Sequence, residues 1–180
     1  MKKYLFPSKI IILLILIGTQ IANAQSEEKK EQILADSKDE KAAFLKEDQE
    51  MAKFFSESYG YLIFPNVGKG GLGVGGAAGN GVAYEQGKMI GYAKLSQISI
   101  GFQAGGQAYR EVVFFESSKE MERFKNNKIE FSAQVSAVAA ASRASADAKH
   151  VEGVAVFTMA KGGLMYQASV GGQQFKFKED

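Results

Sequence analysis

Residues 66 to 81 read NVGKGGLGVGGAAGNG, in which Gly68, Gly70 and Gly73 spell G-x-G-x-x-G, the spacing of a dinucleotide-binding loop. That loop needs a strand before it, a helix opening at the third glycine, and an acid about 20 residues on. A strand pattern does precede it, but Val74-Gly75-Gly76-Ala77-Ala78-Gly79-Asn80-Gly81 follows Gly73. Each glycine costs a helix about 1 kcal/mol relative to alanine, so no stable helix starts where the fingerprint demands one. Gly87-Lys88 is followed by Met89, where a P-loop needs Ser or Thr for its metal. The nucleotide reading fails on both counts.

Other chemistry-bearing residue types are sparse. His150 is the single histidine and there is no cysteine. Asp147 and His150 lie three apart, with Ser142 and Ser145 nearby, but a triad is defined by geometry and not by closeness in sequence. Metal sites need clustered His, Cys or carboxylate, and Glu120 with Glu122 fit the solvated face of a short charged helix. The sequence therefore reads as a non-enzyme with no catalytic residues, no metal and no cofactor. What remains is glycine in strands: Gly70, Gly71, Gly73, Gly75, Gly76, Gly101, Gly105 and Gly106. Such glycines mark bends, bulges or close backbone approach, as a curled or barrel-like antiparallel sheet requires.

The elements that would position these residues follow from periodicity. Residues 26 to 57 hold no Gly or Pro, and Phe44, Leu45, Met51, Ala52 and Phe55 recur at spacings of three and four, which predicts an amphipathic helix docked on a sheet. From Glu27 to Glu57 there are ten acids and six lysines, net −4, unlike the basic face of a membrane-surface helix. Short strands follow. YGYLIF is expected to end at Pro65-Asn66, GGLGVGGAA and GVAYE to flank a Gly79-Asn80-Gly81 turn, and EQGK to turn a hairpin into MIGYAKLSQ. SIGFQAGGQAY and EVVFFE come next, then a short helix, SKEMERFKN, capped by Ser117 or Ser118. IEFSAQVSAVA puts Phe131, Ala133, Val135, Ala137 and Ala139 on one face, residues 140–149 fit either a loop or a short helix, and VEGVAVFTMA, LMYQASVGG and QQFKF close the domain. The fold class expected is α+β: a strongly curled, mostly antiparallel glycine-rich sheet or partial barrel, an N-terminal amphipathic helix, and a short helix near 118–126.

The chain opens with a basic MKKYLFPSK, an apolar IIILLILIGTQIA and the small-residue site Ala22-Asn23-Ala24, the pattern of an export signal cleaved after Ala24, with a retained anchor as the competing reading. The organisation expected is a signal at 1–24, a charged helical segment at 25–57 and a β-rich domain at 58–180, exported to the periplasm or cell envelope or secreted. Removing Lys2, Lys3 and Lys9 from 22 bases against 20 acids leaves the mature chain at net −1, so overall charge gives no support for a nucleic-acid partner. A membrane barrel would need strands of about 9 to 11 residues with an apolar outer band, longer than most of these glycine-broken runs.

Ile63-Phe64-Pro65, Lys69-Gly70-Gly71, Gly79-Asn80-Gly81, Gly101-Phe102-Gln103-Ala104-Gly105-Gly106 and Lys161 to Gly172 occur in this order. Together they resemble the SYLF domain, from about Ser58 to Phe177. The resemblance implies phospholipid binding, to phosphoinositides in eukaryotic members, and in some of those actin binding. Actin is not expected for an exported bacterial protein. Two departures stand out: the N-terminal segment is acidic, and Ala140-Ala141-Ser142 precede Arg143 where the family often has Gly-Pro. The partner expected is a phospholipid or membrane surface, with Lys69, Lys94, Arg110, Arg143 and Lys161 as headgroup contacts. A structural or protein-interaction domain of the envelope, without lipid affinity, is the alternative.

Overall fold

The computed structural model describes residues 8–72, 74–100, 106–132, 135, 137–139, 144–161 and 170–180. The elements are α1 (Ser8–Glu47), α2 (Met51–Glu57), β1 (Gly60–Leu72), β2 (Val74–Glu85), β3 (Lys88–Ile100), β4 (Gly106–Phe115), α3 (Ser118–Lys125), β5 (Ala137–Ala139), β6 (Val154–Ala160) and β7 (Gln173–Glu179). The strands form one seven-stranded sheet in the order β5-β6-β4-β1-β2-β3-β7. It is antiparallel but for the β5–β6 pair. The α+β, mostly antiparallel expectation holds, but the sheet is open, with β5 and β7 at its two edges.

Both faces of the central strands are covered, which is why YLIF and VVFF read as unbroken apolar runs rather than alternations. On one face Tyr61, Ile63, Val82, Val112, Phe114 and Phe157 pack with Phe44 and Met51 of the first two helices. On the other, Leu62, Phe64, Val113, Phe115 and Phe175 pack with Met121 and Phe124 of α3 and with Phe131 and Val135. Fully burying one such side chain is worth about 1.5–3 kcal/mol, so these two clusters dominate the stability.

Predicted and observed elements differ at several points. The helix expected across 26–57 is broken at residues 48–50. Asp48 Oδ1 accepts the Glu50 N–H at 3.0 Å, which satisfies an amide at the start of α2 and lets that helix take a new direction. Ala52 is exposed, while Phe54, outside the predicted stripe, packs into the cluster. β1 does not end at Pro65-Asn66 but runs on to Leu72. Gly79-Asn80-Gly81 is not a turn, for it lies inside β2. The chain reverses between Leu72 and Val74, which are paired with each other. The physical reason lies in a β-bulge. Ile63 pairs with Val82 and Asn66 with Asn80, so Phe64 and Pro65 together face Gly81. A Cβ on Gly81 would run into the Ile63 carbonyl oxygen and would sit 2.6 Å from Phe64 Cδ1. That glycine serves close approach rather than a turn.

The EQGK hairpin is as expected: Glu85 pairs with Lys88, and Gln86 and Gly87 have φ of 49° and 76°, the two left-handed residues of a type I′ turn. α3 is capped by Ser117, whose hydroxyl accepts the Lys119 N–H at 3.2 Å. Among the described residues of the strand expected over 129–139, Ala137–Ala139 is the part formed. Phe131, Val135 and Ala137 do share one cluster, as their alternation predicts, while Ala133 lies outside the described residues. The described part of 140–149 makes a turn rather than a helix, and Gly101 to Gly105 and the LMYQAS segment lie outside the described residues.

Candidate functional site

The first helix determines which cations remain available. Ser37 Oγ lies 3.1 Å from Tyr84 Oη, and Lys41 Nζ donates to Tyr61 Oη at 3.0 Å. Lys41 also lies 4.6 Å from the Phe55 ring centroid, within cation–π range. Phe44, fully buried, anchors the same face. Between them Glu40 meets Arg110 Nε at 2.8 Å and Lys161 Nζ at 3.8 Å. Burial pushes the Glu40 carboxyl above its ordinary range, against the pull of both cations. Two of the expected headgroup contacts, Arg110 and Lys161, are thus engaged by the acidic helix and clamp it to β4 and to the end of β6.

Lys69 sits apart from them, half-buried on β1, and its charge acts on Glu111, a fully buried carboxyl of β4. Glu111 Oε2 accepts from Gln173 Nε2 at 3.0 Å. Burial drives its pKa up to about 8, and Gln173 and Lys69 only partly oppose this. Arg143 lies outside the described residues.

Lys94 is exposed on β3 and lines a groove. The groove, of ≈ 380 Å³, runs between residues 26–33 of α1 and strands β2, β3 and β7. Lys29, Lys30, Lys94, Lys176 and Lys178 line it, with Tyr92 and Ile33 as apolar wall, and no acid does. Lys94 pairs directly with Lys176 across the β3–β7 ladder, a juxtaposition of like charges that disfavours the pairing on its own. Lys30 has Glu27 at 3.2 Å and Asp180 at 3.5 Å. Among the described residues, Lys29, Lys94, Lys176 and Lys178 have no carboxylate within ion-pairing distance. Four ammonium groups without an ion-pair partner among the described residues make the potential at this concave surface positive.

Four of these lysines were missing from the expected set. Lys176 and Lys178 carried a legible signal, since QQFKFKE puts them two apart and hence on one face of a strand. Lys29 and Lys30 carried none, because they belong to an acidic segment that only docking brings beside β3.

The sheet is thus open and mostly antiparallel, with helices on both faces and a lysine groove at one edge. The family model of Ysc84, described as Las17-binding protein actin regulator, matches residues 96–180. Residues 96–180 are thus similar to this family, the SYLF family, which is not a known enzyme family. It is also similar to Beta cell expansion factor A of Aeromonas veronii, 29% identical over 136 residues, which covers 74% of this chain and 51% of that protein. The chain thus spans about half the length of this curated relative. The family match begins inside β3 and includes Lys176 and Lys178, whereas Lys94 and the glycine-rich β1–β2 hairpin precede it.

Proposed function

We propose that this chain is a non-enzymatic, exported protein that binds anionic phospholipid, with the lysine groove as its headgroup site. One observation carries the reading: five lysines and no acid line the same groove, and four of them lack a carboxylate partner. A phosphate is the chemistry that resolves this excess, and each favourably placed base adds about 1 kcal/mol at an anionic surface. The family match over residues 96–180 supports a non-catalytic role, and the leader-like residues 1–24 support export to the envelope. The reading includes a curled sheet and an amphipathic first helix. β4 and β7 are separated by three strands in the sheet order, yet Gln173 on β7 bonds Glu111 on β4. Helix α1 in turn presents Phe44 inward and Lys29 and Lys30 at the groove.

Liposome flotation tests the proposal. The protein should co-float with vesicles of phosphatidylcholine plus phosphatidylglycerol, weakly with phosphatidylcholine alone, and less as salt rises. Replacing both Lys94 and Lys176 by Glu should cost at least about 2 kcal/mol, roughly thirtyfold in partitioning. No co-flotation with any anionic vesicle would overturn the reading and leave a protein-interaction domain.

A further inference from the structure

A second cavity, of ≈ 430 Å³, lies at the other end of the first two helices and has a different chemistry. Its size falls in the range of small-molecule sites. Glu50, Glu57 and Glu116 stand at its exposed rim against a single base, Lys53. Its inner wall holds Ser58, Ser145, His150 and the Phe54 ring. Among the described residues, Ser58 Oγ, Ser145 Oγ and His150 Nε2 are all buried atoms without a hydrogen-bond partner, and Ser145 as a whole is only 2% exposed. Buried polar atoms are normally partnered, so three such atoms on one cavity point to something that satisfies them.

The cavity wall is held in place. Asp48 Oδ2 accepts the Ser145 N–H at 2.7 Å, and Asp48 Oδ1 accepts the Glu50 N–H, so one buried carboxylate fixes both the loop and the start of α2. Phe54 is braced by Phe157 at 4.9 Å and Phe114 at 5.4 Å between ring centroids, and the His150 ring lies 5.6 Å from it. The surface is therefore built, acidic, rich in acceptors and floored by an aromatic face.

We propose that this cavity binds a primary organic ammonium group. An alkylammonium carries three N–H donors and one positive charge. Two hydroxyl oxygens and an Nε2 lone pair, available in the Nδ1–H tautomer of His150, accept the donors. The rim carboxylates and the Phe54 ring favour the charge. A free amine and the ethanolamine headgroup of a phospholipid share this chemistry. The site is separate from the lysine groove, and the proposal does not depend on it.

Because His150 is the single histidine of the chain, its ring resonances report on the cavity without assignment. Putrescine and ethanolamine, titrated into the full chain against matched potassium chloride, should move those resonances saturably. Glu57→Gln, at the exposed rim, and Ser145→Ala should each weaken binding about fivefold, the order of one lost hydrogen bond or ion pair. A shift produced by phosphatidylethanolamine vesicles alone would support the site with a lipid headgroup as its source. No saturable shift with any of these probes, an equal shift with sodium acetate, or unchanged affinity in Glu57→Gln would each overturn the proposal. The free amines involve no membrane, so their failure leaves the flotation result standing.

Discussion

Glu111→Gln changes the pH dependence of stability in a direction that the structure dictates. Glu111 is fully buried, accepts one hydrogen bond from Gln173, and has its pKa raised by burial from 4.5 to about 8. The folded state thus holds its proton more tightly than the unfolded chain does. The stabilisation is fully present below about pH 4.5 and is lost progressively as pH rises to about 8, because folding then requires an expensive buried charge or the uptake of a proton. That interval, at about 1.36 kcal/mol per pH unit, comes to ~5 kcal/mol at most. Glutamine keeps the shape and can still accept the Gln173 N–H through its carbonyl oxygen, yet it cannot ionise. Urea unfolding of both proteins at about pH 5 and about pH 8 isolates the effect as a difference between two slopes. The wild type should lose about 2–4 kcal/mol more than the variant between these conditions. Parallel stability–pH profiles would refute the reasoning, for they would mean that Glu111 is not held protonated by burial.

Gly81→Ala should destabilise the sheet by about 2–4 kcal/mol, since its methyl would meet the Ile63 carbonyl oxygen and the Phe64 ring across the bulge; thermal unfolding measures this, and a cost near zero would show that the bulge yields. Gly68→Ala is the matched control: its Cβ meets nothing within 4 Å, so its melting temperature should stay close to wild type. Glu40→Gln removes the shared partner of Arg110 and Lys161 and should cost about 1–2 kcal/mol. The loss should appear first as faster hydrogen exchange in the Ile33–Phe44 part of α1, and exchange that is unchanged there would show that the clamp does not hold the helix.

Much of the fold was legible because it is written in local pattern. The hairpin at Gln86-Gly87 needs two left-handed residues, and the sequence supplies a two-residue glycine turn. Ser117 precedes a short charged helix, and its hydroxyl does cap it. Gly79-Asn80-Gly81 misled for a similar reason, since turn chemistry is a local signal. Its glycine is demanded instead by a bulge that contains Phe64 and Pro65, more than a dozen residues earlier in the chain. The candidate site divided in the same way: Lys94 was legible as an exposed strand lysine, but Arg110 and Lys161 resembled it in sequence and turned out to be held by Glu40.

By itself, the sequence determined the class of the fold, the type of its elements, the absence of a nucleotide loop at its glycines and the likeness to the SYLF family. Residue periodicity, turn chemistry and the cost of glycine in helices act over a few residues, so they can be read along the chain. Only the tertiary structure decided which charges meet. It placed Glu40 between two cations, Lys29 and Lys30 beside Lys94, and Ser145 with His150 against α2. Those pairings join residues tens of positions apart, and what sets them is strand order, register and the docking of a helix rather than any pattern local to the residues themselves.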